Sequence, residues 1–166
     1  MVARRDTWLI VLALAAAAGL AYWWLRPGDE ARIRHDFRAL EGCLHKGAKD
    51  GTASLVLRTQ SIQGLLARTC DFAVPRYQLE ETLSPPEVAR ELARAQVSLT
   101  TLTVSFTDVR LQTLAASEAV ATCTVRAIAN GDAGAMAESA ELSVRLVKED
   151  GHWRFAAFSE GEVLTK

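Results

Sequence analysis

The stretch VKEDGHWRF, residues 147–155, decides how this chain is read. Asp150-Gly151 between two alternating runs is a hairpin signal, because glycine tolerates the positive φ of a tight turn. Working back from the turn, Leu142, Val144 and Leu146 alternate with Glu141, Ser143 and Arg145. Working forward, Trp153, Phe155 and Ala157 alternate with Arg154 and Ala156. A period of two with one apolar face predicts half-buried antiparallel strands. The same period holds upstream in Leu102, Val104 and Phe106, and again in Ala121, Cys123, Val125 and Ala127. LAASE and NGDAG supply the turns, so the chain ends in four long strands.

Before Leu99 the period is helical. Ile33, Phe37, Leu40 and Leu44 form one stripe of a helix from Asp29, with Asp29 as its cap and Gly47 as its stop. KDGTAS reads as a loop. A less regular stripe, Leu55, Ile62, Leu65 and Leu66, predicts a second helix to about Thr69, which Gly64 weakens by about 1 kcal/mol. DFAVPRYQLEET gives two short extended pieces broken at Pro75. SPPEVARELARAQ has a clear helix start, with Ser84 as cap, Pro85 in the first position and Glu87 completing a capping box. Its expected buried stripe is Val88, Leu92, Ala95 and Leu99, and Glu91 can pair with Arg94. The fold class is α+β.

With 166 residues, the chain holds one modest domain and an appendage. The appendage is TWLIVLALAAAAGLAYWWL, Thr7 to Leu25, uncharged and flanked by Arg4, Arg5 and Arg26. At about 1.5 Å per residue it spans roughly the hydrocarbon core of a bilayer. Trp8 at one end and Tyr22, Trp23 and Trp24 at the other suit the membrane interfaces. The division is a tail at 1–6, a transmembrane signal anchor at 7–25, a linker at 26–28 and the domain at 29–166. A cleaved signal peptide is the alternative, since GLA precedes Tyr22; a double Trp followed by Arg-Pro makes a poor mature terminus and favours the anchor. Basic residues on both sides do not favour an inside N-terminus. A domain outside the cytoplasm, periplasmic in a Gram-negative cell, is preferred on the usual layout of such anchors, with a cytoplasmic-facing or secreted domain as alternatives. Ala15 and Gly19 give a weak helix-pairing spacing.

Nineteen basic and 20 acidic residues leave a net charge of -1, without the footprint of a nucleic-acid binder. Cys43, Cys70 and Cys123 show no C-x-x-C spacing, so they read as buried free thiols, and Cys43 and Cys70 are not expected to bond. No metal or cofactor is expected. His35 points away from the helical stripe and His45 sits at its edge in the last turn, where a cation suits the helix dipole; both read as solvated and neither is given a role.

The order of helix, helix, two short strands, helix and four long strands resembles the nuclear-transport-factor-2-like superfamily, which includes the SnoaL-like and ketosteroid-isomerase-like proteins. The likeness covers roughly residues 29–166 and rests on SPPEVARELARA and VKEDGHWRFAAF. It implies a curved antiparallel sheet, four long strands plus two short, wrapped around three helices as a cone. Superfamily members include enzymes, binding modules and assembly subunits, so the fold leaves function open.

Catalysis in such a cone requires an inward carboxylate and a group to hold an oxyanion. The inward strand positions carry no acid, and Asp108 stands where the phase of its strand breaks. Asp71 and Tyr77 are the remaining weak catalytic candidates. Small inward residues on AVATCTVRAIA leave room for a cavity lined by Phe37, Phe106, Cys123, Val144 and Trp153 that would take an apolar small molecule, unless helix residues fill it. The third class is a protein partner, as in the membrane-anchored periplasmic subunits of type IV secretion machines. The polar face with Thr103, Thr122, Thr124 and Arg145 would make only a wet, weak dimer contact. The preferred reading is a membrane-tethered domain without catalysis, acting in binding or assembly at the envelope. A SnoaL-type isomerase or hydrolase, or an apolar-ligand binder, is the alternative.

Overall fold

The computed structural model describes residues 28–132 and 134–161, so the expected span at 7–25 lies outside the described residues. No helix among the described residues is long and apolar enough to cross a membrane. The helices are α1 (Asp29–Leu44), α2 (Thr52–Leu65) and α3 (Pro85–Val97). The strands are β1 (Leu66–Val74), β2 (Leu79–Leu83), β3 (Leu99–Leu114), β4 (Glu118–Gly131), β5 (Gly134–Glu149) and β6 (His152–Glu160). They form one sheet in the order β2-β1-β6-β5-β4-β3. The sheet, expected to be antiparallel, is mixed: β1 and β6 run parallel.

The closing hairpin turns as its sequence predicts. Asp150 (φ 51°) and Gly151 (φ 79°) both take positive φ, the conformation that matches strand twist in a two-residue hairpin loop. The alternation then breaks where periodicity gives no warning. Arg145 pairs with Ala157 and Leu146 with Phe155, so Ala156 is an extra residue that reverses the phase of β6. Ala157, expected inward, is displaced by Phe158, which stacks on Phe155 at 5.6 Å. A second bulge lies between Thr107 and Arg110; there Asp108 takes φ 53° and is exposed.

Tertiary contacts also override local signals in the helices. Gly28, not Asp29, occupies the cap position of α1. The Asp29 carboxylate instead accepts two hydrogen bonds from Lys148 Nζ, at 2.9 and 3.0 Å. α1 ends at Leu44, short of Gly47, because Lys46 pairs with Leu102 through both backbone bonds, at 2.7 and 2.9 Å. Farther along that edge of β3, Glu41 accepts from the Phe106 N–H and Arg34 donates to the Val109 carbonyl. α1 thus covers an edge that would otherwise invite strand pairing.

α2 begins at Thr52, inside the expected loop, and ends at Leu65 rather than near Thr69, since Leu66 already pairs with Phe155. The α3 capping box forms, with the Glu87 carboxylate 2.8 Å from the Ser84 amide. Val88 and Leu92 pack against the core as expected, but the stripe then shifts: Ala95 is exposed, Gln96 is buried and Leu99 belongs to β3. The Gln96 amide reaches the Leu44 carbonyl at 3.4 Å, and Lys46 Nζ donates to the Gln96 and Leu99 carbonyls.

One glycine is required by close approach. A Cβ on Gly131 would sit 2.7 Å from the Ser98 carbonyl oxygen, a backbone atom that cannot swing away. Gly131→Ala is therefore expected to destabilise the domain by about 1–3 kcal/mol, as overpacking does. A urea melt unchanged from wild type would show that the joint between α3 and β3 yields freely.

Candidate functional site

Between the helices and the sheet, α1 inserts the Phe37 ring edge-on against Phe106 at 5.5 Å and Phe155 at 5.1 Å. Phe155 stacks on Phe158, and Phe158 on Phe72 at 5.6 Å. Phe37, Cys123, Val144 and Trp153 are buried in one cluster, and Phe106 packs against it. The five expected cavity-lining residues are thus brought together, but as neighbours in a core. The small β4 residues Ala119, Ala121 and Cys123 belong to the same cluster. They leave volume for larger side chains to fill.

Gln96 is the buried polar side chain among the described residues, and its amide is neutral; the ionisable groups of the core are thiols. All three cysteines are free and buried. Burial pushes Cys70 up to about 12 and Cys123 to about 11, and raises Cys43 as well. They stay protonated at neutral pH and make poor nucleophiles. Cys70 lies in β1 rather than at the end of the second helix, which corrects the layout behind the expectation about Cys43 and Cys70. Peptide mapping without reduction should recover three free thiols, and iodoacetamide should label them only after unfolding. Rapid labelling of Cys70 or Cys123 in the native protein would contradict the burial.

Asp71 faces away from the helices. It accepts from Thr82 Oγ1 at 2.8 Å and meets Arg145 at 3.4 Å, which ties β1 to β2 and β5. Tyr77 closes the short 3-10 turn Pro75–Tyr77, and its side chain lies outside the described residues.

Among the described residues, two surface hollows stand out. One, of about 640 Å³, lies largely on the outer sheet face beside Asp108, Arg110, Thr124 and Glu141. The other, of about 790 Å³, lies between α1 and the start of β6 and collects Arg32, His35, Asp36, Arg38, His152 and Arg154. There burial pushes the Asp36 carboxyl above its ordinary value, against the pull of His35, Arg154 and His152. A half-buried carboxyl between imidazoles can exchange a proton, and the guanidinium groups can hold an anion. Sequence reasoning missed this cleft, having set His35 aside as solvated and Arg154 on the far face. Its one local signal is Arg32, His35 and Asp36, which share a flank of α1 beside the buried stripe.

The chain matches no protein-family model and no curated protein. Solved structures do match it. One is the Kfla4162 protein from Kribbella flavida, with TM-score 0.64 and 15% identity over 80% of this chain and 88% of that one. Another is the hexachlorocyclohexane dehydrochlorinase LinA-type3 from Novosphingobium barchaimii LL02, with TM-score 0.61 and 15% identity over 80% and 84%. This is the SnoaL-like fold. A scytalone dehydratase-like protein from Novosphingobium aromaticivorans shares it, with TM-score 0.59 and 12% identity over 79% and 81%. At such identities the likeness covers architecture and carries no catalytic residue across.

Proposed function

We propose that this chain is a membrane-tethered, non-catalytic domain of the SnoaL-like fold, acting in binding or assembly at the cell envelope. The observation that carries the reading is the Phe37 ring seated between Phe106 and Phe155, which fills the interior a bound substrate would otherwise occupy. Asp71 and Asp108, the acids considered for such a site, are exposed. The tether is the uncharged run from Thr7 to Leu25, bounded by aromatic residues. Native mass spectrometry of the detergent-solubilised full-length protein tests both halves of the reading. An intact N-terminus with a bound partner or a second copy supports it; a mature chain beginning near Tyr22 overturns the tether.

A second reading is favoured by Asp36, whose raised carboxyl stands among His35, His152 and Arg154. It is acid–base catalysis at the α1 flank, and the likeness to a dehydrochlorinase gives elimination as the reaction to assay. Turnover that Asp36→Asn abolishes would replace the non-catalytic reading.

A further inference from the structure

We propose that the cleft between α1 and the start of β6 binds a phosphate-bearing anion with an apolar portion. Three residues with guanidinium groups, Arg32, Arg38 and Arg154, and two with imidazoles, His35 and His152, line it together with Asp36, which feels the charge of His35, Arg154 and His152. Arg38 and Arg154 make no hydrogen bond or ion pair among the described residues. Arg32 has only a loose partner: Asp29 lies 3.8 Å away and is held at 2.9 Å by Lys148. Set against the single Asp36 carboxyl, these guanidinium groups leave positive charge in excess of what one carboxylate ligand would neutralise, and planar guanidinium forks match phosphate oxygens.

The backbone adds to the site. β1 joins β6 only from Phe155, so His152, Trp153 and Arg154 have β5 on one side and the cleft on the other. The volume of about 790 Å³ exceeds what a bare phosphate needs, and Leu65 and Trp153 give the remainder an apolar wall. The position supplies a source for such a ligand. Ala31 and Arg32 lie in the first turn of α1, and at about 3.5 Å per residue Ala31 is within about 20 Å of Leu25, where the uncharged run ends. If that run is a membrane tether, which this step takes from the function proposed above, the cleft lies within reach of anionic headgroups; a free organic phosphate would satisfy the same chemistry.

The test uses the full-length protein in nanodiscs with two arms. In phosphatidylcholine discs, phenyl phosphate is titrated by calorimetry. In a second set, phosphatidylglycerol is added, and hydrogen exchange is followed over α1 and residues 152–155. Binding of phenyl phosphate, weakened about tenfold by Arg38→Gln/Arg154→Gln, identifies a free phosphate as ligand. Protection that appears only with phosphatidylglycerol, and is lost in the double variant, identifies a headgroup. Arg38→Gln alone, at an exposed position, keeps the test valid if the double variant fails to fold, and should weaken binding about threefold. Neither arm responding, or responses that ignore these substitutions, overturns the proposal. Loss of the tether would silence only the lipid arm, so the two ideas fail separately.

Discussion

Phe37→Ala is expected to lower the stability of the domain by about 3–5 kcal/mol and to leave a void where its ring now stands. The ring is buried, and its partners come from distant parts of the chain, Phe106 from β3 and Phe155 from β6. Neither partner can follow the vacated space without breaking its own strand contacts, so the cavity persists. A persistent apolar cavity stays dry and takes small apolar molecules. Melts of the full-length protein in detergent, with and without benzene, read both effects. The variant should melt well below wild type and recover in part with benzene, whereas wild type should not respond. A wild-type protein stabilised as strongly by benzene would mean that the cone already has an open interior, and the apolar-binder reading would take precedence.

What the sequence could disclose follows from the range of each interaction. The start of α3 was legible because Ser84 and Glu87 satisfy each other within one turn. The closing hairpin was legible because Asp150-Gly151 fixes its own register. Ala156 was not, since a bulge inserts one residue without changing composition and only the pairing with β5 reveals the reversed phase. The early end of α2 depends on a parallel partner far along the chain. The cleft was the least legible feature of all. Its two walls, α1 and the first residues of β6, come from opposite ends of the described chain, and no motif links them.

The same geometry explains the composition of the VKEDGHWRF hairpin. Lys148 and Trp153 face each other across the hairpin, with the ammonium 5.1 Å from the indole centroid. Lys148 also grips Asp29 at the first turn of α1, and the hydrogen bonds from Lys148, with a weaker pull from the indole N–H, hold the Asp29 carboxyl below its ordinary value. Trp153 Nε1 has no hydrogen bond of ordinary geometry, so its contribution is chiefly its buried volume. Trp153→Ala should therefore cost about 3–5 kcal/mol and also loosen α1 from the sheet. The pH dependence gives a second readout. Because the folded pKa of Asp29 is depressed, its stabilisation is complete above the unfolded value near 3.8 and is lost as pH falls through the folded value. Asp29→Asn should thus melt lower than wild type at pH 7, and the gap should close in acid. Urea melts at pH 7 and well below pH 3.8 decide the matter. A Trp153→Ala variant as stable as wild type would show that the hairpin docks α1 through Lys148 alone, and that the tryptophan is there to bind something else.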